Sequence, residues 1–205
     1  MRPPVEFFYG IGSRYSYLAS TQLERLAAET GCHFRWRPLF SGDLFAARGR
    51  DPFAGPPVSG QYDWGYRRRD AARWAAYYGV RYREPEDVAY DPRRLALAAT
   101  AAARLGVVEP FSRRLFQAMF VDGLSPLDDE ACARLAQEVG LDREAFLRAL
   151  ADPETAAQLA STVAQAAASG VFGVPSFVLG DQVYFGNDRL VLLRHALSKA
   201  AGAPG

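Results

Sequence analysis

The sequence predicts an α/β fold interrupted by an all-helical block, and three observations predict it. A strand, turn, helix, strand run opens the chain over residues 5–39, a series of glycine-broken helical stretches fills residues 66–150, and two short apolar runs followed by a last helix close it. With 205 residues and 49% hydrophobic side chains, the chain is long enough to bury one core with an inserted subdomain.

Val5-Glu6-Phe7-Phe8-Tyr9 is a buried strand, Gly10-Ile11-Gly12 a tight loop, and Ser13 the cap of a helix running to about Thr30. After the stop at Gly31, Phe34 to Leu39 alternates with period two and reads as a second strand parallel to the first, completing a βαβ unit. Residues 41–65 collect Gly, Pro, Asp and Ser around scattered aromatics and fit neither period, so they read as a long irregular loop. Helices are then expected at Tyr66 to Tyr78, Pro92 to Leu105, Pro110 to Phe120, Asp128 to Val139 and Arg143 to Leu150. A further helix runs from about Pro153 to Ala168. Ser176 to Leu179 and Gln182 to Phe185, separated by Gly180-Asp181, form a hairpin, and a last helix from Arg189 to about Ala200 takes Asn187 or Asp188 as its cap. The order βαβ, helices, ββα is that of a thioredoxin-like fold split by a helical insertion.

Composition excludes several functions. The 24 basic and 23 acidic side chains leave a formal net charge of +1, too even a balance to draw nucleic acid or an anionic membrane surface. Nothing approaches the roughly 18 consecutive apolar residues of a membrane helix. Met1 to Glu6 runs into the first strand without the apolar stretch of a secretion signal, so a cytoplasmic location is expected. Cys32 and Cys132 form no C-x-x-C and read as small buried hydrophobes, while His33 and His195 stand isolated. No metal site is signalled.

Three segments carry candidate chemistry. Ser13 and Ser16 place two hydroxyls at the spacing of a C-x-x-C dithiol, at the start of the helix after the first strand. Backbone N–H groups there favour an anion, and the Ser13 hydroxyl is either a plain helix cap or a donor to a thiolate that another molecule brings. Gly173-Val174-Pro175-Ser176-Phe177 puts proline at the start of a strand. If the Val174-Pro175 bond is cis, the backbone of Val174 turns outward and can pair with an extended peptide; a trans proline at a strand start is the ordinary alternative. Gly186-Asn187-Asp188-Arg189 gathers an amide, a carboxylate and N–H groups that suit either helix capping or recognition of an amino-acid end.

Together, Ser13-Arg14-Tyr15-Ser16-Tyr17-Leu18-Ala19, Tyr66 with Arg69-Asp70, Gly173 to Phe177 and Phe185 to Leu190 resemble the 2-hydroxychromene-2-carboxylate isomerases and kappa-class glutathione transferases of the DsbA-like thioredoxin superfamily. The resemblance spans nearly the whole chain. It implies a single DsbA-like domain over 1–205, with thioredoxin-like parts at 1–40 and 155–205, a helical insertion at about 66–154 and an active-site loop at 41–65 ahead of it. It further implies glutathione or another low-molecular-weight thiol as cofactor, with the sulfur facing Ser13, the cysteinyl backbone on Val174 and Pro175, and the γ-glutamyl end at Asn187 and Asp188. By the same resemblance, the thiolate adds to a conjugated acid, permits bond rotation and leaves, and the protein is a homodimer.

The sequence departs from the family at named places. Arg14 stands where proline usually follows the active serine, Tyr9 and Gly10 where the strand usually ends in aspartate, and the loop with Arg48, Gly49, Arg50, Asp51, Gln61, Tyr62, Asp63 and Trp64 has no lysine. Arg14 either meets a carboxylate of substrate or cofactor or is a solvated helix residue. Tyr15, Ser16, Phe45, Tyr62, Trp64 and Tyr66 are candidates for an aromatic substrate pocket, against the alternative that they are core. The expected function is a thiol-dependent isomerase acting on an aromatic or conjugated carboxylate. A kappa-like glutathione transferase and a catalytically silent thiol- or peptide-binding protein are the alternatives.

Overall fold

The computed structural model describes residues 4–49 and 63–202. β1 (Val5–Tyr9) is buried at every position except Glu6, as a strand covered on both faces must be. β2 (Phe34–Pro38) pairs with it in parallel, from Val5 opposite Phe34 to Tyr9 opposite Pro38. On its other edge β3 (Ser176–Leu179) runs antiparallel with Phe8 opposite Ser176, and β4 (Gln182–Phe185) returns along β3. The sheet order is β2-β1-β3-β4. The β3 to β4 hairpin turns on Gly180 at φ +61, a conformation that glycine alone enters without strain, and Asp181.

Successive side chains of β1 point to opposite faces, and both faces are covered. Phe7 and Tyr9 enter the larger core, where Phe7 stacks on Phe177 with ring centroids 5.0 Å apart and meets Trp36 edge-on. Phe8 faces a smaller cluster with Leu39, Leu44, Val163 and Val178. Beneath the larger core the Tyr9 hydroxyl shares a buried hydrogen bond of 2.6 Å with Ser112 Oγ, and burial raises its pKa.

The helix after β1 is two helices, where the sequence predicts one. α1 (Arg14–Ser20) ends because Ser20 and Thr21 donate their hydroxyls back to the carbonyls of Tyr17 and Leu18, both at 2.7 Å. α2 (Leu23–Thr30) then runs to Gly31, at φ +67. The expectation of irregular structure from residue 41 also needs correcting. Ser41–Ala47 is a helix, α3, pinned by the fully buried Leu44; its single apolar anchor is too little for periodicity to reveal. Trp64 and Gly65, expected in the same loop, instead open α4 (Trp64–Tyr78).

α4 is followed by α5 (Pro92–Arg104), α6 (Val108–Gln117), α7 (Asp129–Glu138), α8 (Arg143–Ala151) and α9 (Pro153–Ala168). A π-helical turn, Ala118–Asp122, extends α6 to Gly123. Asp63, Asp91, Asp128, Asp142 and Asp152 each accept a backbone N–H as N-caps of α4, α5, α7, α8 and α9, an interaction worth about 1 kcal/mol apiece. Asn187–Arg189, expected at the start of the last helix, form a 3-10 turn that leads into α10 (Leu190–Gly202).

Both cysteines are buried and unpaired, as the sequence reading expects, and burial with Asp129 and Asp128 nearby pushes the Cys132 thiol up to about 12. A thiol reagent such as Ellman's should therefore titrate two sulfhydryls in denaturant and react only slowly with the native protein, a rate comparison that fast native labelling would contradict.

Candidate functional site

The chain leaves β1 through Gly10-Ile11-Gly12 into the N-cap of α1, and a cavity of about 840 Å³ opens there. Ser13 has extended backbone angles, φ −94 and ψ 113, and its Oγ accepts the N–H of Ser16 at 3.2 Å. It is thus a cap, yet capping uses only a lone pair of the oxygen. The Ser13 O–H proton has no acceptor among the described residues and lies at the cavity wall. The two readings of Ser13 are compatible.

Ser16 does not belong to the pocket. Its side chain is fully buried beneath the loop, where Oγ accepts the Gly10 N–H at 3.4 Å, so the dithiol spacing puts one hydroxyl at the cavity and one under it. Tyr15 does line the wall: its hydroxyl donates to Asp70 Oδ2 at 2.9 Å, and burial followed by that bond pushes its pKa up to about 12. Tyr15 is a neutral donor at any physiological pH.

Val174 and Pro175, joined by a cis peptide bond, line the same cavity as Ser13. Val174 precedes the first paired residue of β3, Ser176, so its N–H and C=O stand outside the ladder. The two loops nearly touch: a Cβ on Gly10 would lie 3.4 Å from Leu39 O and 3.5 Å from Val174 Cγ2. The third segment closes the same end of the sheet, because the Gly186 N–H donates to Pro175 O at 2.9 Å. Asn187 is buried and its amide donates to Tyr78 Oη at 3.4 Å, while the Tyr78 hydroxyl donates to Asn187 O at 3.1 Å. Asp188 keeps a half-exposed carboxylate at the rim, with Arg189 donating to Oδ2 at 2.7 Å.

Helix α4 supplies the remaining wall. Trp64, Arg67, Asp70 and Trp74 recur at three- and four-residue spacing and share the face turned to the cavity. Tyr66 and Phe45 line it too, Tyr66 39% exposed and Phe45 half-buried. Tyr62 lies outside the described residues.

Arg14 is neither a solvated helix residue nor a free cation. Its side chain is 12% exposed and donates to Glu84 Oε1 at 2.5 Å, while Tyr82 donates to Glu84 Oε2 at 2.5 Å. Arg14 Nε is buried without a hydrogen-bond partner among the described residues, and the guanidinium carbon lies 5.2 Å from the centroid of the Trp64 ring. Glu84 and Tyr90 are wall residues that sequence reasoning missed, for they sit in the aperiodic stretch between α4 and α5. Arg67 was also missed; its helical phase with Asp70 and Trp74 is the signal that separates it from Arg68 and Arg69.

Chemically, the cavity offers an unused hydroxyl donor, free backbone groups, a neutral tyrosine and an aromatic wall interleaved with guanidinium groups, an arrangement suited to a small anionic, unsaturated ligand. Two relatives named 2-hydroxychromene-2-carboxylate isomerase are each 29% identical to this chain: that of Pseudomonas putida, over 95% of this chain and 94% of its own, and that of Sphingobium xenophagum, over 96% and 99%. A solved structure of a 2-hydroxychromene-2-carboxylate isomerase superposes with a TM-score of 0.84 at 27% identity, covering 97% of this chain and 96% of that one. The family model described as DSBA-like thioredoxin domain matches residues 4–198. The chain therefore belongs to the DSBA-like thioredoxin family, and the cavity lies where its sheet and helical elements meet.

Proposed function

We propose that the protein is an isomerase of the 2-hydroxychromene-2-carboxylate type, acting on an aromatic or conjugated carboxylate with glutathione, or a similar small thiol, as cofactor. The observation that carries the reading is the convergence of Ser13, Val174-Pro175 and Asn187-Asp188, from three distant parts of the sequence, on one cavity of about 840 Å³. That volume lies in the usual range for small-molecule sites, about 300–1,000 Å³.

The residues present fit a thiol tripeptide. The unaccepted Ser13 O–H suits a sulfur anion, the Val174 backbone outside the β3 ladder suits an extended peptide, and the half-exposed Asp188 carboxylate suits an α-amino group. When bound, glutathione supplies the nucleophilic sulfur whose reversible addition frees a double bond to rotate. Ser13 donates its proton to hold that sulfur charged, the role a single preorganised donor plays elsewhere at a catalytic rate gain of about 100-fold. Tyr15 stays protonated and hydrogen-bonded to Asp70, which fixes the wall beside Ser13. Glu84 holds Arg14 against Trp64 and so positions the aromatic side of the cavity.

Isothermal titration tests the cofactor: glutathione should bind the wild type, and absence of binding to it or any small thiol would sink this half of the proposal. Ser13→Ala removes cap and donor together, with an expected stability loss of about 1 kcal/mol. Ser13→Asp separates them. Its carboxylate keeps the cap and the melting behaviour but repels the thiolate, so turnover of 2-hydroxychromene-2-carboxylate should fall about 100-fold with stability retained. A Ser13→Asp enzyme of normal activity would reduce Ser13 to a cap. Glu84→Gln leaves the mostly buried Arg14 without its counter-charge; chemical denaturation should show a loss of about 1–3 kcal/mol, and KM for the acid should rise more than kcat falls.

A further inference from the structure

Three arginines besides those on the outer surface reach the cavity wall, and they differ in what they hold. Arg14 is engaged by Glu84 and Arg189 by Asp188. Arg67 has no carboxylate partner among the described residues. The acids closest to it along α4 are otherwise employed, Asp63 in capping the Tyr66 N–H at 2.7 Å and Asp70 in accepting the Tyr15 hydroxyl. What holds Arg67 is the aromatic wall: its side chain hydrogen-bonds the Tyr15 hydroxyl, and its guanidinium carbon lies 5.3 Å from the centroid of Trp64 and 5.6 Å from that of Tyr15. A guanidinium carries five N–H donors, so one given to the Tyr15 hydroxyl leaves a pair for a planar, bidentate anion, at little further cost in side-chain freedom.

We infer that Arg67 is the residue that reads the substrate's carboxylate. The acid's two oxygens meet the N–H fork of Arg67, and its conjugated ring system lies along the aromatic wall that Trp64 and Tyr15 begin. Arg68, the next residue, pairs with Glu86 and takes no part in the wall, so the helix presents one arginine to the ligand and the other to solvent. The identification of the acid as the substrate rests on the isomerase reading above; the carboxylate preference of the cavity does not.

Isothermal titration with cinnamate and its uncharged amide, cinnamamide, tests this without turnover. The wild type should bind the acid at least about tenfold more tightly than the amide, the difference expected when a charged hydrogen bond is lost. Arg67→Met should abolish the preference, Arg67→Lys should restore part of it, and Arg68→Met, which removes the same charge from the same helix, should keep it in full. Glutathione affinity should be the same in all four proteins. The inference is overturned if the wild type does not distinguish acid from amide, if Arg67→Met still does, or if Arg67→Met loses glutathione while keeping its preference for cinnamate. Glutathione that binds none of the proteins, with the cinnamate preference present and lost in Arg67→Met, would overturn the cofactor proposal and leave Arg67 as the carboxylate reader.

Discussion

The antiparallel register of β1 against β3, with Phe8 opposite Ser176, decides where the loops of this protein meet. The residues that follow β1 and those that precede β3 leave the sheet at the same end, so Gly10 to Ser13 and Val174-Pro175 come together although more than 150 residues separate them. Stacking of Phe7 on Phe177 and the edge contact of Phe7 with Trp36 hold that register from within the core, since a slip by one residue would turn every aromatic to the opposite face. The bond from Gly186 N–H to Pro175 O then brings the third loop to the same place. The site is a consequence of sheet pairing before it is a consequence of any helix.

Helix α4 adds what the sheet cannot provide. It is anchored to α1 by the bond from Tyr15 to Asp70 and to the segment before α10 by the pair of bonds between Tyr78 and Asn187. Asn187, read from the sequence as a ligand residue or a cap, thereby acts as a clasp that fixes the helix against the sheet end. The charges around the cavity are largely matched in situ, Arg14 with Glu84 and Arg189 with Asp188, so its walls present directed donors without a strong field of one sign.

Most of the framework was legible because it rests on local signals. The bounds of β1, β3 and β4 follow from short apolar runs with glycine punctuation, and glycine breaks set off the helical stretches of residues 66–150. The break between α1 and α2 escaped because it comes from the hydroxyls of Ser20 and Thr21 competing for carbonyls, an effect that leaves apolar spacing unchanged. α3 escaped because one leucine stabilises it through tertiary contact. At the site, Ser13, Val174-Pro175 and Asn187-Asp188 were identified by their local context, whereas the fate of Ser16 and the partners of Arg14 depend on which residues arrive from elsewhere. Glu84 and Tyr90 carry no pattern of their own, and only the folded chain gives them neighbours.

Tyr90 also sets a condition on the loop beside Ser13. Its ring lies over Gly12 so closely that a Cβ there would come within 3.1 Å of Tyr90 Cε2 and 3.3 Å of its hydroxyl oxygen. Positions 12 and 90 are therefore coupled through direct contact. A side chain gained at 12 asks the ring at 90 to give by a few tenths of an ångström, so a change in the loop beside Ser13 is passed on to the wall through the tyrosine.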